Sequence, residues 1–94
     1  MTERKLYTII AEYNGGTYIG QSFGDSPAAA LSGWLSSVQD VQLAGWGVTR
    51  QELTTIAKED DPVAISGCVG VWCVTGSVKR GLVLINVVAT DAST

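Results

Sequence analysis

Asn14-Gly15 constrains this chain more than any other pair of residues. Both central positions of a type I′ turn need positive φ, and Asn-Gly meets that need at the least steric cost. The dipeptide therefore predicts a tight hairpin. Its flanks agree: Lys5 to Tyr13 and Thr17 to Phe23 are rich in β-branched and aromatic residues. With a two-residue loop, residues that face each other have numbers with an odd sum, which sorts the side chains. Leu6, Ile10, Ile19 and Phe23 share one face; Tyr7, Ile9, Ala11, Tyr13 and Tyr18 share the other, together with Gly16 and Gly20. The aliphatic set suits a core beneath helices. The tyrosine set, whose rings can lie over the glycines, suits a half-wet surface.

Gly24-Asp25-Ser26-Pro27 ends the second strand and opens a helix, with Ser26 at the N-cap and Pro27 at the first helical position. The spacing predicts a helix from Pro27 to about Gln39, with Leu31, Trp34, Leu35 and Val38 on one stripe. Its other face holds Ala29, Ser32, Gly33 and Ser36 and no charge. Val41 to Val48, around Gly45-Trp46-Gly47, reads as a connection. Thr49-Arg50-Gln51-Glu52 is a capping box for a second helix, Arg50 to Glu59, stopped by Asp61-Pro62. Val63 to Gly67 reads as extended or loop. Cys68 to Thr75 reads as a third strand, Gly76 to Gly81 as a turn, Leu82 to Thr90 as a fourth strand and Asp91 to Thr94 as a polar tail. Val83 to Val88 is almost continuously apolar, as in a strand covered on both faces. The expectation is one α+β domain over residues 1–94: ββααββ, a four-stranded, mostly antiparallel sheet with two helices on one face. How the two hairpins join is not legible at this level.

Composition narrows the function. The chain has no histidine, which removes the commonest general base and the commonest zinc ligand. Cys68 and Cys73, the only cysteines, are too few for a zinc site or a disulfide framework and are expected to be free, buried and apolar in character. Glu12 and Asp25 are the only carboxylates near strand ends that qualify as catalytic candidates; a solvated strand residue and a turn residue are the plainer readings. Asn14-Gly15-Gly16-Thr17 lacks the lysine of a phosphate loop and leads into a strand. Glu59-Asp60-Asp61 is a solvated helix end or, on a sharper reading, a cation site. The expectation is thus no enzyme, no metal and no cofactor.

Six basic residues against nine acidic ones, the basic ones scattered, give a net charge of −3 and no cationic stripe for nucleic acid. No run approaches the ~18 apolar residues of a membrane span. Met1 to Lys5 leads into a strand with no signal-peptide core, which points to the cytoplasm.

Tyr7-Thr8-Ile9-Ile10-Ala11-Glu12-Tyr13, then Gly15-Gly16-Thr17-Tyr18, then Gly24-Asp25-Ser26-Pro27 with Ala28-Ala29-Ala30-Leu31, resembles the start of HicB-type antitoxins. In that family a strand hairpin steps through Gly-Asp-Thr/Ser into an Ala-rich helix. The resemblance spans the first hairpin and helix only, and Trp72-Cys73 and the apolar last strand have no counterpart in it. It implies a small module that neutralises a partner. The leading functional expectation is therefore a non-enzymatic protein-interaction module of the immunity or antitoxin kind. The alternative is a small-ligand-binding or auxiliary subunit of a metabolic complex, its aromatic residues lining a pocket. On either reading Tyr7, Tyr13, Tyr18 and Trp72, on the face that two helices cannot cover, are the expected binding residues. Trp46, between glycines, either plugs the base of the domain or anchors a partner. A homodimer, or a different protein, would cover that face.

Overall fold

The computed structural model describes residues 5–78 and 81–90. The elements run β1 (Lys5–Tyr13), β2 (Gly16–Gly24), α1 (Pro27–Ser37), α2 (Asp40–Trp46), α3 (Arg50–Glu59), β3 (Val63–Ala64), β4 (Val71–Val78) and β5 (Gly81–Thr90). The sheet is antiparallel throughout, in the order β2-β1-β5-β4-β3. The two hairpins join through β1 and β5, so the most apolar strand lies at the centre.

The fold is α+β, but the expected ββααββ arrangement of four strands and two helices is wrong: the described residues form five strands and three helices. The extra helix, α2, occupies the segment read as a connection. Seven residues, one of them a glycine next to the C-terminal end, have little helical tendency of their own. α2 forms because Leu43 and Trp46 are buried one turn apart and because Gly47, at φ 92°, closes its end by donating its N–H to the Leu43 carbonyl. The extra strand, β3, is two residues long and pairs Val63 with Cys73 and Ala64 with Trp72. β4 starts three residues later than expected, because Gly67 and Gly70, both at positive φ, hold Cys68 and Val69 in a turn. Asp91–Thr94 and Lys79–Arg80 fall outside the described residues.

The local signals worked where they were strongest. Asn14 (φ 51°) and Gly15 (φ 81°) form the two-residue turn, and Tyr13 faces Gly16. Ser26 caps α1 by accepting the Ala29 N–H at 3.1 Å. Thr49 and Glu52 complete the capping box of α3. Arg50 ties the helical layer together. Its guanidinium donates to the Leu35 and Val38 carbonyls at the end of α1 and bridges Asp40 of α2 at 2.7 Å.

The hairpin faces sort as expected, but their orientation is reversed. The tyrosine face lies under the helices: Tyr7 and Tyr13 are each 3% exposed, and Ile9 and Ala11 are fully buried. Leu6, Ile10, Ile19 and Phe23 lie on the open side. Glycine explains the reversal. Gly16, Gly20 and Gly24 recur at every fourth position of β2 and make a flat strip on which helices can settle. The Trp46 indole covers Gly16 and the Trp34 indole covers Gly20, while the first turn of α1 sits on Gly24. The expected tyrosine-over-glycine packing is instead tryptophan over glycine, with the tyrosines filling the space around the indoles.

Candidate functional site

The residues expected to bind a partner go mostly to the core. Trp46 is the plug rather than the anchor: it is buried, its indole N–H donates to the Tyr13 carbonyl at 3.3 Å, and its ring meets Tyr13 edge-on at 6.0 Å and Tyr18 at 4.7 Å. Tyr7 and Trp72 do share a face, their rings 6.0 Å apart, but it is the face under the helices, where Trp72 is half-buried. The recess between Tyr18, Trp34 and Trp46 holds about 50 Å³. A small-molecule site usually takes ~300–1,000 Å³. The recess between these three rings is too small for such a ligand.

What the helices leave uncovered is the other face of the sheet, which is the candidate site. The ladder registers place Leu6, Ile10, Ile19, Phe23, Val63, Val71, Leu84 and Val88 on it. Ile19 is 69% exposed, Val63 68%, Leu82 60% and Phe23 50%. Among the described residues on this face, Glu12 is the only charged one, and it lies near the hairpin end of β1. Part of the face's polar complement is already satisfied: the Thr8 and Thr90 hydroxyls bond each other at 2.5 Å, and Gln21 donates to Thr8 at 3.1 Å.

The signal that could have identified this face is the β2 glycine strip. A sheet face with three glycines in one strand offers room for helices, whereas the aliphatic face offers none. Counting hydrophobicity alone favoured the wrong side.

The catalytic candidates do not converge. Glu12 and Asp25 are both exposed and lie toward opposite ends of the β1–β2 hairpin. No group of three or more potential metal ligands occurs among the described residues, the stretch Glu59-Asp60-Asp61 included. No described helix is long and apolar enough to cross a membrane.

Both thiols are free, but their environments differ. Cys68 is exposed in the turn before β4, against the expectation that it is buried; Cys73 lies half-buried on the open sheet face. Burial pushes the Cys73 thiol above its ordinary pKa, which lowers its thiolate fraction. With Ellman's reagent at pH 8, Cys68 is expected to react first and Cys73 more slowly, because burial limits reagent access to Cys73 and lowers its thiolate fraction. Equal rates in Cys68→Ser and Cys73→Ser proteins would contradict this.

No protein-family model matches this sequence, and no curated protein or solved structure is detectably similar to it.

Proposed function

We propose that this protein is a small non-enzymatic protein-interaction module that works through the open face of its sheet, with a second copy of the chain the simplest occupant. The observation that carries this reading is the face itself. Of the six large hydrophobic side chains most exposed in the described structure, four (Ile19, Phe23, Val63 and Leu82) lie on it, beside a single charge. With strands ~4.8 Å apart and ~3.3 Å per residue, four strands present about 500 Å². That is near the upper end of what monomers leave as one patch. Two such faces stacked ~10 Å apart bury about 1,000 Å² or more, the lower bound for a specific interface. The resemblance of the first hairpin and helix to HicB-type antitoxins supports the same class, a module whose work is to engage another protein.

Sedimentation at micromolar concentration tests the reading. The wild-type chain is expected to be a dimer, and Ile19→Lys, at an exposed position, is expected to give a folded monomer. A wild-type monomer whose solubility is unchanged by Ile19→Lys would overturn it.

A further inference from the structure

A second surface, adjoining the open face, lies at the far edge of the sheet. β3 pairs with β4 only opposite Trp72 and Cys73, and the chain adds one further bond when the Ile65 N–H donates to the Val71 carbonyl. That bond sets the orientation of β4: its odd-numbered residues direct their N–H and C=O groups away from β5. The Gly70 carbonyl, which accepts from the Ala89 N–H, confirms the alternation. Thr75 and Ser77 lie beyond the end of β3. Among the described residues, no backbone group bonds their outward N–H and C=O groups. They form a short stretch of unpaired sheet edge, the kind of edge that recruits another strand.

This edge borders a groove rather than open solvent. The cavity beside it holds about 640 Å³ and is walled by α3, through Gln51, Thr55, Ile56 and Glu59, and by Thr75 to Val78. Gly76 brings the two walls together, since a Cβ there would lie 2.5 Å from Ile56. A strand edge flanked by a helix is the geometry in which extended peptides bind by strand addition: the edge supplies main-chain hydrogen bonds and the helix contacts alternate side chains. The rim is acidic. Glu59 and Asp60 line it, and no basic side chain does among the described residues. These carboxylates lie at the C-terminal end of α3, where the helix dipole disfavours negative charge. Local helix stability does not account for their placement.

We propose that the groove between α3 and the free edge of β4 takes an extended, positively charged segment of a partner protein, adding it to the sheet as an antiparallel or parallel strand beside Thr75 and Ser77. The site adjoins the open face at Leu82 but uses the main-chain edge of β4 and the side of α3 rather than the apolar sheet surface.

The test uses fluorescence anisotropy with a fluorescein-labelled ten-residue peptide of alternating lysine and threonine. Binding is expected for this peptide. It should be about tenfold or more weaker for the analogue with glutamate in place of lysine, since like charges oppose docking. It should be abolished by N-methylation of alternate residues, which removes the ladder donors. Glu59→Lys with Asp60→Lys should weaken it about tenfold, and Ser77→Pro, which removes an outward N–H while sparing the β5 ladder, about fivefold or more. Ile19→Lys should leave it unchanged, so failure here is distinguishable from failure of the open-face reading. Amide shifts in the wild-type protein should centre on Thr55, Glu59, Thr75 and Ser77, a readout that does not depend on any variant folding. Absence of binding, equal binding of the glutamate peptide, shifts centred on the open face, or occupation of the groove by a second copy of the chain would each overturn the proposal.

Discussion

Trp34→Ala is expected to destabilise the fold by about 3–5 kcal/mol, a loss set by the transfer free energy of the indole and the cavity it leaves. Trp34 is 6% exposed and spans from α1 to the Gly20 strip of β2. Small domains have only ~5–15 kcal/mol in total, so the variant should be close to unfolded at 37 °C. Urea denaturation followed by circular dichroism measures the loss; a change under about 1 kcal/mol would mean that Trp34 is not the central strut of the layer. The same contact predicts coupling. A Cβ at Gly20 would lie 2.5 Å from the Trp34 Nε1, so Gly20→Ala forces the indole to move. In a Trp34→Leu background the same substitution should cost less, leaving an interaction energy of about 1 kcal/mol in the double-mutant cycle.

The second large effect is Gly24→Ala. Here the added Cβ would lie 2.6 Å from the Ala30 backbone nitrogen and 3.0 Å from the Ala29 carbonyl carbon. Neither atom can rotate away, so the first turn of α1 must lift off the strand. A loss of about 2–3 kcal/mol is expected, with α1 loosened first. Hydrogen exchange of the α1 amides locates the damage, and unchanged protection there would refute the packing argument. Gly45→Ala is the matched control. Nothing lies within 4 Å of its Cβ position, inside α2. Restoring helix propensity there should stabilise by about 0.5–1 kcal/mol, the opposite sign from the same chemical change at Gly24.

Features decided by a few neighbouring residues were legible in the amino-acid sequence. Asn14-Gly15 determined the turn and, through it, the partition of hairpin side chains into two faces. Ser26-Pro27 and the Thr49–Glu52 box determined where α1 and α3 begin, because a cap is a bond between residues three apart. Features that depend on distant partners were not legible. α2 exists because Trp46 finds the Tyr13 carbonyl across 33 residues, and the segment alone has little reason to be helical. β3 is a strand only because Cys73 and Trp72 pass beside it.

The candidate site shows the same division. Which side chains of the hairpin travel together follows from the chain alone, since alternation along a strand is local geometry. Which set faces water depends instead on how the helices pack against the sheet. That choice turned on where α1 and α2 could approach the sheet closely, and the Gly16, Gly20 and Gly24 strip admits the backbone of α1 and two indoles where the aliphatic face would hold them off. Close packing, rather than the hydrophobicity of either face, placed the tyrosines inside and left Ile10, Ile19 and Phe23 on the open side.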